Sequence, residues 1–383
     1  MVFAIIIIII ILIFLSLTVF LNLPQFGKLP SQVELSKITS SPNYRNGKFQ
    51  NIHFTPDLKE GVSMFTVMRK FFFGRSKRSR PSGIIPSQKT NLHLLDPHKN
   101  CLVWFGHSSY FIKADGKNIL VDPVLSGHAS PVNFTTKSYA GTDVYSVDDI
   151  PEIDYFFISH DHWDHLDYET VLKLKPKIKK IITGLGVAAH LQRWGFAKYD
   201  IIERDWNQEI QLGNNFIVHT ISARHFSGRG LKRNKSIWSS FALRTPTMNI
   251  FVGGDSGYDT HFKEAGNEFG PFDLAILECG QYNEFWKYIH MMPEETVQAA
   301  LDLKAKILLP VHWGKFSLGL HAWDEPITRV TKEAELRNQR IIHPMIGEEI
   351  DLKKFRPPEN GGRKLKQGQR NLLFYYSLGY PVI

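Results

Sequence analysis

The chain begins with an uninterrupted apolar stretch. From Val2 to Leu23 it carries no charged side chain, and only Ser16, Thr18 and Asn22 are polar. In a helix, these 22 residues would span about 33 Å at about 1.5 Å each, which is enough to cross the hydrocarbon core of a bilayer. The pattern therefore predicts a membrane helix.

A cleavable signal peptide is the alternative to a permanent anchor. Such peptides begin with positive charge, have a shorter apolar region and end in small residues at a cleavage site. No Lys or Arg precedes the run and no such site follows it, so we expect an uncleaved single-pass anchor over residues 1–24. By the positive-inside rule, Lys28, Lys37, Arg45 and Lys48 place the rest of the chain on the cytoplasmic side.

From Cys101 onward, short β-rich runs alternate with stretches of helical period. This mixture predicts an α/β or α+β sandwich, and we place the main domain at residues 101–352. The expected strands are Leu102–Phe105, Tyr110–Lys113, Asn118–Val121, Tyr155–Ser159, Ile181–Thr183, Phe216–Ser222, Trp238–Leu243, Asn249–Gly253, Leu274–Glu278 and Ile307–Val311. The expected helices are Tyr168–Leu174, Gly186–Trp194, Thr260–Phe269, Pro293–Leu303 and Ile327–Arg337.

Two segments flank this domain. Residues 25–100 carry scattered Pro, Gly and Ser, which favour an irregular lead-in. Residues 353–383 are first polar and rich in Gly and Pro, and then apolar. The sequence leaves open whether this tail packs on the domain or contacts a membrane.

Composition excludes two classes of protein. With 43% hydrophobic and 13% aromatic residues, the chain is not an intrinsically disordered one. Its two cysteines, Cys101 and Cys279, lie in apolar strand-like runs and do not form a disulfide framework. We expect both to be core residues.

The net charge of +9 is concentrated in one segment. Met68–Pro81 holds six basic residues, no acidic ones and three consecutive phenylalanines, which leaves the rest of the chain near +3. Basic side chains attract anionic headgroups and phenylalanines enter the membrane interface, so the stretch from Phe71 to Arg80 is a candidate membrane contact. The alternative is a solvated loop whose phenylalanines pack on the domain. Because no nucleic-acid-reading motif accompanies the charge, we expect no nucleic-acid partner.

The strongest chemical signal follows the strand expected to end at Ser159. Residues 160–165 read HDHWDH, which places three imidazoles and two carboxylates in six positions. Neutral imidazole and carboxylate are ligands that suit zinc and related divalent ions. His160 and His162 project together, whereas Asp164 and His165 come from the next turn. Two ions are therefore a better fit than one.

Three other strand ends carry further candidate ligands. His225 follows the strand Phe216–Ser222, and His312 ends the run ILLPVH. Asp255 follows two glycines that allow the backbone a close approach to its neighbours. Each residue alone has an ordinary structural explanation, but the repeated pattern indicates one shared site.

Together these segments resemble the metallo-β-lactamase superfamily, whose marker is H-x-H-x-D-H. Within it, the chain is similar to the phospholipase D that hydrolyses N-acyl-phosphatidylethanolamine and to the bacterial relatives of that enzyme. The matching blocks extend over about 250 residues in the family's order, and they are WFGHSSYFI, LVDPVLSGHASP, IDYFFISHDHWDHLDY, FVGGDSGY, GPFDLAILECGQY, HMMPEETV and VHWGKFSL. Several of these blocks are shared with lactonase-like relatives. The resemblance implies a four-layer αββα sandwich with the site at one edge of its two sheets.

The resemblance also implies two divalent metal ions, Zn²⁺ being the expected metal. The implied ligands are His160, His162 and His225 for the first ion, Asp164, His165 and His312 for the second, and Asp255 as the bridge. Asp122 and His107 are implied to orient ligands without binding metal. His290 precedes the helix that starts at Pro293 and is implied to contact an anion or a departing oxygen, so that it joins Asp255 and Asp164 as a catalytic candidate. The candidate substrate contacts, for which ordinary packing is the alternative, are Trp163, Gln281, Tyr282, Trp286 and His321.

The activity implied is that of a membrane-associated dizinc phosphodiesterase, which cleaves N-acyl-phosphatidylethanolamine to N-acylethanolamine and phosphatidic acid. A lactonase-like hydrolase of a phosphorylated sugar or another small ester could use the same ligands, but it needs neither the membrane span nor the basic patch. A superfamily ribonuclease carries an added nucleic-acid-binding domain that this sequence does not show. A non-catalytic scaffold is disfavoured because all seven ligands are present.

The basic phenylalanine segment and Leu372–Ile383 have no evident counterpart in the phospholipase family, which leaves substrate preference open.

Overall fold

The computed structural model describes residues 1–355, so most of the predicted tail, from residue 356 on, lies outside the described residues. The helices are α1 Val2–Leu21, α2 Gln32–Thr39, α3 Met64–Phe73, α4 Tyr168–Leu174, α5 Ala188–Arg193, α6 His261–Glu268, α7 Pro293–Asp302 and α8 Glu325–Leu336. The strands are β1 Tyr44–Arg45, β2 Lys48–Phe49, β3 Cys101–Trp104, β4 Tyr110–Ala114, β5 Lys117–Val121, β6 Ile153–Ile158, β7 Ile178–Gly184, β8 Ile201–Arg204, β9 Glu209–Gly213, β10 Phe216–Ser222, β11 Ser239–Arg244, β12 Asn249–Val252, β13 Leu274–Glu278, β14 Leu308–Val311 and β15 Glu349–Asp351.

Two large mixed sheets form the centre of the main domain. One has seven strands in the order β15-β3-β4-β5-β6-β7-β8, and the other has six in the order β14-β13-β12-β11-β10-β9. Strands β5 to β8 are parallel, as are β12 to β14, and the remaining neighbours are antiparallel. Except between β5 and β6, an α-helix connects each pair of parallel neighbours, which is the usual crossover between parallel strands.

The two sheets pack face to face between two layers of helices. In β3, Leu102 and Trp104 enter the core that both sheets share, whereas Cys101 and Val103 join the second core under α4 and α5. This alternation follows from the two-residue period of a strand. Ring contacts mark the inter-sheet layer, for example Phe157 on Phe241 with centroids 5.2 Å apart. Helices α6 to α8 cover the outer face of the six-stranded sheet, so the predicted αββα sandwich is confirmed.

The structure adds elements that the hydrophobic pattern did not predict. Strand β8 is only half-buried along its length, and β9 is the edge strand of its sheet with exposed Glu209 and Gln211. Neither strand therefore carries a strong apolar signal. Strand β15 has three residues and adds to β3 at the other edge of the seven-stranded sheet.

The lead-in is more regular than expected. It contains α2, α3 and the small β1–β2 hairpin, and it packs on the main domain. Phe49 is fully buried in a cluster with Trp206 and Trp238. Val67 of α3 is buried in another cluster with Trp286 and Leu320.

Helix α1 is 20 residues long, and none of its residues is buried. By length and composition it could cross a membrane, although a signal sequence near an N-terminus has the same properties. Its apolar surface is exposed all round, which is the distribution expected of a helix in lipid rather than of an amphipathic surface helix.

Candidate metal centre

One edge of the sandwich gathers the polar side chains that follow the strands. Asp122 comes directly after β5, His160 follows β6, and His312 directly follows β14. Because the strands that carry these residues run in the same direction within their sheets, their carboxyl ends meet at one edge. Two packed sheets thus bring together residues that lie up to two hundred positions apart.

Two glycines allow this convergence. A Cβ atom on Gly253 would lie 2.4 Å from the carbonyl oxygen of Ile276, and one on Gly254 would lie 2.7 Å from Cβ of Ser159. Both distances are below contact range, so the backbone before Asp255 reaches its position only with glycine.

The first cluster consists of His160, His162, His225 and Asp255. One ligand atom from each residue lies within 4.8 Å of all the others. Nδ1 of His162 is 2.9 Å from Nε2 of His160 and 3.2 Å from Nε2 of His225. Oδ2 of Asp255 is 3.7 Å from Nε2 of His225. The structure therefore places the four residues predicted for one metal ion around one small volume.

The second cluster consists of Asp164, His165 and His312, joined by His107. Oδ2 of Asp164 lies 3.6 Å from Nε2 of His165 and 4.0 Å from Nε2 of His312. Asp255 reaches this cluster too, with Oδ2 3.2 Å from Nε2 of His165 and Oδ1 3.2 Å from Nδ1 of His312. The Asp255 carboxylate thus lies between the two clusters, where a bridging ligand was predicted.

Contacts on the side away from the centre orient several of these side chains. Nδ1 of His165 lies 2.8 Å from Oδ2 of Asp122, whose other oxygen accepts from the backbone N–H of Ser159. Nε2 of His107 lies 2.8 Å from Oδ2 of Asp164. The carbonyl oxygen of Ile289 lies 2.8 Å from Nδ1 of His225. These contacts fix the imidazoles of His165 and His225 with Nε2 facing the centre, whereas Oδ2 of Asp164 both contacts His107 and faces the second cluster.

Electrostatics keep most of the clustered groups in states that suit cation binding. His165 is the exception: burial lowers its pKa, but Asp255 and Asp164 outweigh burial and hold the pKa well above its ordinary value. Burial lowers the pKa of His162 to about 4 and lowers those of His160, His225 and His312 well below the ordinary value. Their imidazoles are therefore neutral at pH 7. Burial would raise the pKa of Asp255, but the positive charge of nearby histidines, His165 foremost, outweighs it and holds the pKa well below its usual range.

The donor set fits divalent metal ions. Nε2 of His162, Nε2 of His165 and Oδ1 of Asp255 are buried without a hydrogen-bond partner among the described residues. Unpaired buried polar atoms are costly, and imidazole and carboxylate are ligands that suit zinc. The two clusters are therefore candidate metal-binding sites built from residues of both sheets.

A third pair borders the clusters. Nδ1 of His290 lies 2.7 Å from Oε2 of Glu278, and Oε1 of Glu278 accepts from the backbone N–H groups of Ser256 and Met291. Burial opposes protonation of His290, but the Glu278 carboxylate outweighs it and raises the pKa of His290 to about 9. The His290 ring lies beside His225 and His312, with centroids 4.9 and 5.3 Å away. His290 is therefore a cationic donor at the edge of the centre.

Glu278 is a residue that the sequence reasoning missed. It ends the otherwise apolar strand β13, and its side chain is almost entirely buried. A carboxylate among buried apolar positions was the available signal, because such a group is rare unless a partner satisfies it. Ser159 and Ser108 were also missed. Their hydroxyls contact Asp122 and Nδ1 of His312 respectively.

The predicted substrate contacts mostly have structural partners. The Gln281 side chain donates to the carbonyl of His312 and accepts from Leu318 and Gly319. Tyr282 donates to Glu325. These bonds support the loop around His312, and a role in substrate binding stays a prediction.

The remaining candidates lie on two sides of the centre. Indole Nε1 of Trp286 donates to the carbonyl of Gln281, and its ring stacks on Phe71 with centroids 6.0 Å apart. His321 accepts from the backbone N–H of Gln281 through Nε2. Trp163 is half-buried and meets Phe26 edge to face at 5.2 Å. Trp163 and Trp286 thus connect the site loops to the segments that precede the main domain.

Four residues at this edge have a strained backbone conformation. His107, Asp122, Gln281 and His312 have φ values of 55°, 40°, 60° and 68°. Non-glycine residues rarely adopt this left-handed conformation, and it persists where surrounding contacts impose it. These four residues contact or belong to the clusters, and the other left-handed non-glycine residues of the described chain lie elsewhere.

Comparison with known proteins agrees with the fold. Residues 117–313 match the family described as Beta-lactamase superfamily domain. An uncharacterized protein of Mycobacterium tuberculosis is 38% identical over 322 residues, which cover 81% of this chain and 84% of that protein. The N-acyl-phosphatidylethanolamine-hydrolyzing phospholipase D 1 of Caenorhabditis elegans is 29% identical over 229 residues, 56% of this chain and 64% of that enzyme. The solved structure of Igni18, a metallo hydrolase of Ignicoccus hospitalis, has a TM-score of 0.52 at 18% identity and covers 66% of this chain and 97% of that one.

The fold and the His/Asp clusters define the class of metal-dependent hydrolases with two packed sheets. The chain belongs to the metallo-β-lactamase superfamily, and within it the predicted resemblance to phospholipases D that hydrolyse N-acyl-phosphatidylethanolamine is confirmed. The likeness to Igni18 shows the fold alone.

Proposed function

We propose that the chain is a membrane-anchored, zinc-dependent phosphodiesterase of the phospholipase D type. It cleaves N-acyl-phosphatidylethanolamine to N-acylethanolamine and phosphatidic acid. The observation that carries the proposal is the position of the Asp255 carboxylate between two His/Asp clusters, with Oδ2 3.2 Å from Nε2 of His165 in one and 3.7 Å from Nε2 of His225 in the other. The substrate class is supported by the relative from Caenorhabditis elegans, whose name states this activity.

The proposed zinc ligands are those predicted from the sequence. They are His160, His162 and His225 at one site, Asp164, His165 and His312 at the other, and Asp255 between them. When bound, two divalent ions supply Lewis acidity that activates water and offsets negative charge on phosphoryl oxygens.

The protein's own residues supply orientation and a proton. Protonated His290, held by Glu278, faces the centre and donates a proton to the alcohol oxygen as the phosphorus–oxygen bond breaks. Water adds its oxygen to phosphorus, and one of its protons restores the charge on His290. Asp122 and His107 keep His165 and Asp164 in place during this exchange.

Two membrane contacts support a lipid substrate rather than a soluble one. Helix α1 is long and apolar enough to span a bilayer. On α3, Phe72 and Phe73 are 71% and 87% exposed, whereas Phe71 packs on Trp286. Of the three phenylalanines in the predicted basic patch, one thus packs on the domain and two are available to a bilayer. With the basic residues after α1 as the topological signal, the catalytic domain faces the cytoplasm.

The test is a substrate panel with purified, zinc-loaded, full-length protein. The panel contains N-acyl-phosphatidylethanolamine, ordinary phospholipids, lactones and sugar phosphates. We expect release of N-acylethanolamine and phosphatidic acid, and no turnover by the Asp255→Asn variant. If the lipids stay intact while a lactone or sugar phosphate is hydrolysed, the lactonase-like alternative replaces this proposal.

A further inference from the structure

The segment that follows α1 is fastened to the main domain beside the metal loop. The guanidinium of Arg193 donates to the carbonyl of Asn22 at 2.8 Å, and indole Nε1 of Trp194 donates to that of Pro24 at 2.8 Å. The backbone N–H of Lys28 lies 3.1 Å from Nδ1 of His190. These contacts fix the end of the membrane helix relative to the catalytic domain.

A cleft of about 390 Å³ opens at this junction. Its apolar wall comes from the end of α1 and from Leu29 and Leu231, the latter 81% exposed. Its polar wall carries five cationic side chains and a single acidic one, Asp161. The cationic residues that line the cleft are Lys28, Arg193, Arg229, Lys232 and Lys235.

The one acidic group offsets at most one of the five positive charges. Oδ2 of Asp161 lies 3.2 Å from Nε2 of His190 and accepts from the hydroxyl of Ser236, while Oδ1 accepts from the backbone N–H of Gly228. Arg229 donates to the neutral backbone carbonyls of Gln25, Asp161 and Leu166. The cleft therefore keeps a net positive charge.

Two of the lysines are available to an incoming anion. Lys28 and Lys232 are exposed, and no ion pair involves either of them within residues 1–355. Lys235 differs, since its ammonium group donates to the carbonyl of Gly47. An anion in the cleft would meet Lys28 from the lead-in and Lys232 from the loop before β11.

The position of the cleft indicates which kind of anion binds there. Leu21 and Asn22, the end of the apolar helix, form part of its lining. This is the level at which a membrane helix leaves the hydrocarbon and meets the phospholipid headgroups. Apolar and cationic walls side by side match the acyl chain and the phosphate of one lipid molecule.

From this we infer that the cleft binds the headgroup of an anionic phospholipid from the bilayer that holds α1. The inference rests on the membrane anchoring in the proposed function. It assigns a lipid site outside the two His/Asp clusters. The lipid site and the metal clusters are linked through Asp161, which lines the cleft and lies between His160 and His162 in the metal loop. Arg229 adds a second link, because its guanidinium lies 3.9 Å above the ring of Trp163 in the same loop.

The test is native mass spectrometry of the full-length chain in a neutral detergent. Short-chain phosphatidylglycerol, short-chain phosphatidylcholine and inorganic phosphate are titrated separately. We expect one phosphatidylglycerol per chain, little retention of phosphatidylcholine, and weak binding of phosphate. In the variant with Lys28→Ala and Lys232→Ala, phosphatidylglycerol should bind about tenfold more weakly or worse.

The matched control is Lys263→Ala with Lys332→Ala, two exposed lysines on α6 and α8. It should bind phosphatidylglycerol like the parent. Equal binding of phosphatidylcholine, phosphate binding as tight as that of the lipid, or unchanged binding by the Lys28/Lys232 variant would each overturn the inference. Because the readout is binding, a chain that hydrolyses no phospholipid would refute the proposed activity and leave this test unaffected.

Discussion

Nδ1 of His290 lies 2.7 Å from a carboxylate oxygen of Glu278, at the end of a buried strand. The sequence motifs did not predict this charged contact. Glu278 is held in turn by the backbone N–H groups of Ser256 and Met291, so the ring of His290 has one preferred orientation.

Replacing Glu278 should therefore act through His290. We expect Glu278→Gln to lower kcat on the cleavable lipid by about 10²-fold or more, the range found for loss of general acid catalysis. His290→Asn should have a similar effect, and the double variant should be little worse than either single one. Steady-state kinetics of the three variants form the double-mutant cycle. Strictly additive losses would show that the two residues act independently.

Asp255 should be essential for both metal retention and turnover. Asp255→Asn removes a negative charge that lies between the two clusters, so we expect loss of activity and of bound metal. Elemental analysis after dialysis measures the metal content. Asp57→Asn is the control, because Asp57 is an exposed partner of Arg233. A fully metal-loaded Asp255→Asn protein would contradict the bridging assignment.

Asp122 should tune metal affinity without binding metal. Its carboxylate accepts from the backbone N–H of Ser159 and contacts Nδ1 of His165. With Asp122→Asn, we expect about 10–100-fold weaker zinc binding, as found for residues that orient metal ligands. Competition with a chromophoric chelator measures the affinity. An unchanged affinity would mean that Asp122 serves only the turn after β5.

Metal removal should lower thermal stability. Buried ring atoms such as Nε2 of His162, which has no hydrogen-bond partner among the described residues, gain a partner when a cation binds. Zinc at 1,000 times its Kd should add about 4 kcal/mol to the free energy of unfolding. Thermal unfolding with a chelator and after zinc is restored measures the change. Asp255→Asn should show a smaller zinc-dependent shift, and an equal shift would point to metal bound elsewhere.

The exposed phenylalanines of α3 should matter for lipid in a bilayer only. Replacing Phe72 and Phe73 with serine should raise KM for substrate in vesicles, because the two side chains no longer enter the interface. Turnover of a short-chain substrate below its micellar concentration should stay unchanged. Leu336→Ser, which removes another exposed apolar side chain on α8, is the control. Equal effects on both substrates would indicate damage to the domain instead.

Much of the fold could be predicted because it depends on local patterns. Strands β10 and β13 and helix α4 have the predicted bounds, since strong apolar runs with clear ends define them. Strands β8 and β9 were missed because partial burial and an edge position weaken the period-two signal. The lead-in was expected to be irregular, yet Val67 and Phe49 are buried against residues more than one hundred positions later.

The sequence by itself determined which residue types could bind a metal. Imidazoles and carboxylates directly after apolar strands, as at His160 and His312, can be recognised as candidate metal ligands from the local sequence. Only the tertiary structure decided which atoms face one another, because the distance from Asp255 to His165 depends on how two sheets pack. The contact between Glu278 and His290 likewise depends on tertiary packing, because it joins segments that are apart in sequence. The cleft beside Lys28 also forms only where distant segments meet.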